Sequence, residues 1–287
     1  MKMGACKGAP GAVLAVLVLG GPLLAGATAD GDSVWAPPAA QGVNQVAGDG
    51  DAATDEAATE AGEAALAEAS AAKRAAQKLE DEAREQALLD VAARYDAIAG
   101  RDSYAVPERT EAAFRAGEIL RTLKRADEAD TRFLRAVTLG EDVEGAREFA
   151  ARGLLERAHI LRRADDIEAA LALYAEVGRR FADQRRSAAH AVTWTGKLLV
   201  RDGRLEQGAE VLQGFADGFP EYATEAVRNA DLVAVSWWEA GDEPAARATV
   251  AWIEGRMEPL LEIGGRQAEL VRQALDRMRV TALLAGD

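Results

Sequence analysis

Small residues return along this chain at a near-constant interval, which constrains the fold more than any other feature. Gly117, Ala158, Gly196 and Ala234 stand 41, 38 and 38 residues apart. In register behind them come Lys124, Asp165, Gly203 and Gly241, then Ala129, Ala170, Gly208 and Ala246, then Phe133, Tyr174, Leu212 and Val250. Four copies in one register make an internal repeat. Within a copy the apolar residues recur at helical spacing, as in residues 201–222, R-D-G-R-L-E-Q-G-A-E-V-L-Q-G-F-A-D-G-F-P-E-Y. Gly203 and Gly241 fall where a first helix must stop, since glycine accepts the left-handed conformation that closes a helix. Phe219-Pro220 ends the second helix, because the residue before proline is pushed out of helical geometry. Each copy therefore reads as two helices and a short turn, with small residues where the helices approach closely and Phe133, Tyr174 and Leu212 filling the gap to the next copy.

The flanks read differently. Lys2 and Lys7, the apolar run Ala12 to Ala25 and the small residues Ala27-Thr28-Ala29 follow one another in the order of a secretory signal peptide, cleaved before Asp30. Gly20, Gly21 and Pro22 interrupt that run, which is shorter than the ~20 residues a bilayer span needs. The expectation is an exported chain, periplasmic or secreted, with no membrane span after cleavage of residues 1–29. Cys6, the single cysteine, lies before the apolar run, so the mature chain would hold neither a lipid-bearing cysteine nor a disulfide. Residues 30–55, with Trp35, Pro37-Pro38 and scattered acids, read as a disordered acidic linker. Residues 56–86 are rich in Ala, Glu, Lys and Arg and predict a helix. With only Leu66 and Leu79 for a seam, it is either a coiled-coil stalk, through which the chain would oligomerise, or an extended helix leading into the repeats. The repeats occupy 87–258, opened by a half unit, A-L-L-D-V-A-A-R-Y-D-A-I, and residues 259–287 supply a capping helix over the last apolar face.

Charge narrows the partners. The chain carries 48 acids against 34 bases, a formal net charge of -14, which disfavours nucleic acid and anionic lipid. His159 and His190 are the only histidines, and no glycine-rich phosphate loop follows a strand. Asp165-Asp166 sits at a turn, where acids cap the next helix. No catalytic constellation, cofactor site or metal site is predicted.

The spacing of small residues, turn glycines and aromatics resembles the tetratricopeptide-repeat family, over about residues 87–258. This sequence departs from it in having longer units, Gly208 in place of the common alanine, and Phe215 and Ile253 at a position that is usually small. The resemblance implies an all-α, right-handed superhelical solenoid of helix-turn-helix hairpins with an N-terminal helical extension, acting as a non-enzymatic scaffold for protein partners. It also implies which positions of each first helix line the concave face. Carried over, these give Glu111, Phe114, Glu118, Arg121 and Thr122 in the first copy, and Arg152, Leu155, His159, Arg162 and Arg163 in the second. The third gives His190, Thr193, Lys197, Val200 and Arg201, and the fourth Arg228, Asp231, Val235, Trp238 and Glu239. An acidic protein thus gathers bases mid-groove, where Arg forks would grip an acidic or C-terminal peptide segment and Trp238 would pack an apolar side chain. Trp237, in register with Leu120, Leu161 and Leu199, is expected in the core, and Trp194 and Trp252 as filling between repeats. Signal peptide, helical segment and repeats together resemble the periplasmic coordinator of the Tol-Pal envelope system. The repeats alone resemble the outer-membrane-assembly lipoprotein, whose cysteine is missing here. The alternative is an envelope enzyme on a helical-solenoid body, which would need a cluster of convergent polar groups.

Overall fold

The computed structural model describes residues 49–285, and every regular element among them is a helix. The expected signal peptide, 1–29, and most of the expected linker lie outside the described residues. The helices pair as α1 (Asp49–Ala76) with α2 (Asp81–Ala99), α3 (Val106–Thr122) with α4 (Ala126–Gly140), and α5 (Arg147–Arg163) with α6 (Ile167–Arg180). Next come α7 (Arg185–Arg201) with α8 (Leu205–Gly218), α9 (Ala223–Glu239) with α10 (Glu243–Ile263), and a last helix, α11 (Gly265–Ala285), packed on α9 and α10. From α5 onward each first helix begins 38 residues after the one before, so the repeat read from the small residues is the structural unit.

The turns inside the hairpins are alike. Lys124, Asp165, Gly203 and Gly241 hold equivalent places and all have left-handed backbone, with φ of 61°, 63°, 80° and 81°. The following N–H in each case returns to a carbonyl in the last helical turn: Arg125 to Leu120, Asp166 to Leu161, Arg204 to Leu199 and Asp242 to Trp237, at 2.9 to 3.0 Å. This six-residue closure satisfies carbonyls that the helix end leaves free. Glycine takes that backbone without strain, whereas lysine and aspartate accept it at about 1 kcal/mol each. Asp166 and Asp242 then cap the next helices by accepting from the N–H groups of Ala169 and Ala245.

Close approach holds each pair together. A Cβ on Gly117 would meet the Phe133 ring at 2.7 Å, and one on Gly196 would overlap the Leu212 side chain. A Cβ on Gly208 would meet the Gly196 carbonyl at 2.9 Å and the Val200 side chain at 2.6 Å, so this glycine closes the same pair from the other side. Phe215 and Ile253, the large residues at a usually small position, are fully buried and join one cluster with Ala226, Ala230 and Val271.

The backbones of first helices in successive hairpins come close, α3 to α5, α5 to α7 and α7 to α9, whereas those of the second helices stay further apart and are joined by long side chains, Arg132 of α4 to Asp96 of α2 and Arg256 of α10 to Asp217 of α8. The stack is therefore tighter on the side of the first helices, which form its concave face.

Both ends differ from expectation. The helix begins at Asp49, so residues 49–55 belong to α1 and not to a linker. Residues 56–86 are not one continuous helix. The chain turns after Ala76, and α1 folds back on α2 and α3 as the first layer of the stack. Large apolar residues are not needed for this, because Ala69 and Ala76 are buried against Leu88 and Tyr95 of α2, and Gly62 admits the Glu108 side chain. At the other end α10 runs on to Ile263 through Pro259 before α11 closes the stack, so residues 259–263 belong to the last hairpin.

One recurring contact was not foreseen. Arg147, the first residue of α5, donates to Asp183 at 2.6 and 2.9 Å and to the Arg180 carbonyl at 2.7 Å, its guanidinium 5.2 Å from the Phe181 ring. Arg185, the first residue of α7, repeats this with Glu221, the Gly218 carbonyl and Phe219. Each clamp ties the open end of its hairpin to the link leading into the next, through charge-assisted bonds stronger than neutral ones.

Two outcomes follow. Gly208→Leu should lower stability by about 1 to 3 kcal/mol in chemical denaturation, because the added side chain meets backbone that cannot give. An unchanged midpoint would refute the packing described. Hydrogen bonds from Arg147 hold the Asp183 carboxyl well below its ordinary value. A carboxyl depressed in the folded state stabilises above its unfolded pKa, about 4, and that contribution is lost as pH falls further. Arg147→Ala should therefore cost about 1 kcal/mol at pH 7 and progressively less in acid, read as converging melting temperatures of variant and parent below pH 4.

Candidate peptide-binding groove

The concave face begins at α3 with charges that already have partners. Arg115 reaches Glu111 at 3.1 Å and Glu118 at 2.9 Å, and Arg121 reaches Glu156 of α5 at 3.4 Å. Arg152, expected as a free groove base, bridges Glu118 and Glu148 at 3.7 and 3.8 Å, and its guanidinium lies 4.3 Å over the Phe114 ring. It thereby covers Phe114, which is buried. Burial pushes the Glu156 carboxyl up, against the pull of Arg121 and Arg163.

At the centre the structure corrects one assignment and supplies one that was missing. His159 is not a groove residue. It is 9% exposed, with its Nδ1 2.6 Å from the Tyr174 hydroxyl and its ring edge-on to Tyr174 and Trp194. Burial, followed by the charges of Arg162 and Arg163, lowers its pKa to about 3, and burial raises Tyr174 to about 12. The pair is a neutral hydrogen-bonded element joining α5 to α6. Leu155 and Thr193 are likewise closed over, Thr193 accepting from the buried Asn229 of α9 at 3.2 Å.

Trp194, half-buried on α7, organises the bases. The Arg162 guanidinium lies 4.1 Å from its ring and Lys197 Nζ 5.8 Å, so two cations from neighbouring helices gather at one aromatic ring. Lys197 also reaches Glu225 of α9 at 3.3 Å, and Glu225 takes Arg228 at 3.4 Å. Arg201 is turned to Asp165, at the preceding hairpin turn, at 3.3 Å. Arg163 is exposed, and among the described residues neither it nor Arg162 forms an ion pair; His190 is exposed on α7. Trp238 is not brought to this centre. Half-buried, it has the Arg247 guanidinium of α10 5.5 Å from its ring. Trp237 is only partly buried, facing the space between α8 and α10 with Trp252.

The face therefore holds an alternating run of acids and bases, with Arg162 and Arg163 at its centre outside any ion pair among the described residues. Sequence register gives the direction in which a side chain leaves the helix, but a long Arg or Lys chain ends wherever a carboxylate or ring holds it. Arg152 thus ends on Glu118, Glu148 and the Phe114 ring, and Arg201 on Asp165. No cluster of residues suited to a metal ion, and no helix long and apolar enough to cross a membrane, occurs among the described residues.

No protein-family model matches the sequence, and no curated protein matches it. Several solved structures are similar. MamA from Desulfovibrio magneticus RS-1 is 18% identical with a TM-score of 0.44, over 67% of this chain and 96% of that one. A putative kinesin light chain with nearly identical TPR-like repeats from Podosopora anserina is 13% identical with a TM-score of 0.48, over 68% and 95%. YrrB, a TPR protein with an unusual peptide-binding site, is 17% identical with a TM-score of 0.40, over 60% and 79%. The assignment of this chain as a stack of helical hairpins rests on its own turns and packing.

His159 sets a pH dependence. A base whose pKa is lowered on folding stabilises fully above its unfolded value, about 6.5, and its contribution falls as pH drops and the unfolded state takes the proton. His159→Phe should flatten the loss of stability between pH 6 and pH 4, followed by thermal melting. Parallel curves for the two proteins would mean that the imidazole is not buried neutral.

Proposed function

We propose that the chain is a non-catalytic scaffold that binds protein partners on its concave face, outside the cytoplasm. The observation carrying this reading is that the Arg162 charge is held by a tryptophan ring rather than by a carboxylate, beside the exposed Arg163. A cation stacked on a ring is fixed in place while its charge remains uncompensated, so it can form charge-assisted bonds with an incoming carboxylate. The partner this fits is a peptide segment that is acidic or that ends at the spot with its C-terminal carboxylate. Neighbouring acids, Glu156 and Glu225, would repel a longer acidic tract and so set the register of a short one.

The compartment follows from the leader-like order of charge, apolar run and small residues at 1–29, and with it a place in the cell envelope. Within that setting the chain is proposed as a scaffold for envelope assembly or maintenance, of the general kind represented by the Tol-Pal coordinator. With residues 56–76 packed in the first layer of the stack, the scaffold reading does not require an oligomerising stalk.

The test is calorimetric titration with a hexapeptide ending in Asp-Glu with a free carboxylate, beside its C-terminally amidated Asn-Gln counterpart. Affinity for the acidic peptide should weaken as salt rises and fall about tenfold in Arg162→Glu/Arg163→Glu, with helicity retained by circular dichroism. Equal binding of both peptides, or indifference to the two charge reversals, would remove the concave face as the binding surface.

A further inference from the structure

The joint between the last two hairpins is built unlike the joint before it. Between α8 and α10, with Trp237 of α9 among its walls, lies an open cleft of about 440 Å³. At the preceding joint, 38 residues earlier, the equivalent positions are Leu171, Val211 and Leu199, all packed into one apolar cluster. At the later joint they have become Ala209, Thr249 and Trp237. Two aliphatic side chains that closed the space are missing, and Trp237 and Trp252 are left lining it.

The charges change in the same place. In the earlier hairpin Glu168 is neutralised by Arg204 at 3.0 Å. Its equivalent one repeat later is Glu206, and the position equivalent to Arg204 is Asp242. Glu210, which replaces Ala172, adds a second carboxylate. Both are exposed at the cleft, and neither forms an ion pair among the described residues. No lysine or arginine occurs in α8. Arg247 of α10 is turned away to Glu243 and Trp238.

We propose that this cleft binds a cationic peptide segment, a Lys or Arg side chain lying against Trp237 and Trp252 with its charge met by Glu206 and Glu210. Tryptophan faces attract cations through the ring quadrupole, and two uncompensated carboxylates beside them select a cation over a neutral chain of the same shape. The site opens between α8 and α10 and shares no residue with the positive spot at Arg162 and Arg163, so the two can be occupied independently.

The experiment titrates the protein with an Arg/Gly hexapeptide and with the same peptide carrying citrulline for arginine, which keeps shape and loses charge. The arginine peptide should bind about tenfold more tightly. Ala209→Leu/Thr249→Val restores the residues of the preceding joint, filling the cleft without altering net charge, and should lower that affinity about tenfold. Glu206→Gln/Glu210→Gln should do the same, and these exposed positions carry the test if the filled variant loses helicity. No binding, equal binding of the two peptides, or undiminished binding by a folded filled variant would overturn the proposal.

Discussion

Each central hairpin depends on how closely its two helices approach, and in α3/α4 and α7/α8 that distance is set by an absent side chain, where α5/α6 has the small Ala158 and Ala170. With no Cβ at Gly196, Leu212 can press into the first helix, and with none at Gly208, the second helix can rest on the Gly196 carbonyl. Contact at this range leaves one arrangement of the pair, and the turn must then close over very few residues. This is why Lys124 and Asp165 accept a backbone that glycine takes freely at Gly203 and Gly241. The hairpins, once fixed, bury their remaining apolar faces only against neighbours, so the core is a succession of local clusters rather than one centre.

Much of this was legible because close packing leaves marks that repeat. Gly or Ala at the crossing, a left-handed residue seven positions on and a large side chain after it reveal the unit without any structure. The first layer was less legible. A helix whose buried face is Ala69 and Ala76 has no apolar stripe to read, and it packs only because Leu88 and Tyr95 supply the bulk from the other side. The clamps of Arg147 and Arg185 were hidden for another reason. Each joins residues 36 apart, and nothing local distinguishes an arginine that grips a carbonyl from one that points to water.

The concave face shows the limit of register most clearly. It identified the helices, and the bases named on them do lie on α5, α7 and α9, but Phe114, Leu155, His159 and Thr193, assigned to the same face, are buried. What it could not supply was the company they keep. Trp194, read as filling, turns out to hold Arg162 and Lys197, while His159, read as a groove residue, is sealed against Tyr174. Aromatic residues divide the charge of this molecule between two faces. One tryptophan gathers cations on the first helices, and two others stand beside carboxylates on the second helices.

The arginine clamp also gives the stack a direction. Hairpins α5/α6 and α7/α8 have it, but the position equivalent to Arg185 in the last hairpin is Ala223, and there α10 does not end where its predecessors do. Only Gln267 of α11 touches the Glu221 carbonyl, at 3.3 Å. A rod made of such units is not uniformly stiff. Its middle is riveted at each link, and its C-terminal end lacks that clamp, held instead by packing and by exposed side-chain pairs, Arg256 with Asp217 and Arg279 with Glu254, so twisting or pulling on the chain concentrates strain at the junction of α9, α10 and α11. Deformation of the whole scaffold by a bound partner would start from that end and travel inward until it met the first rivet.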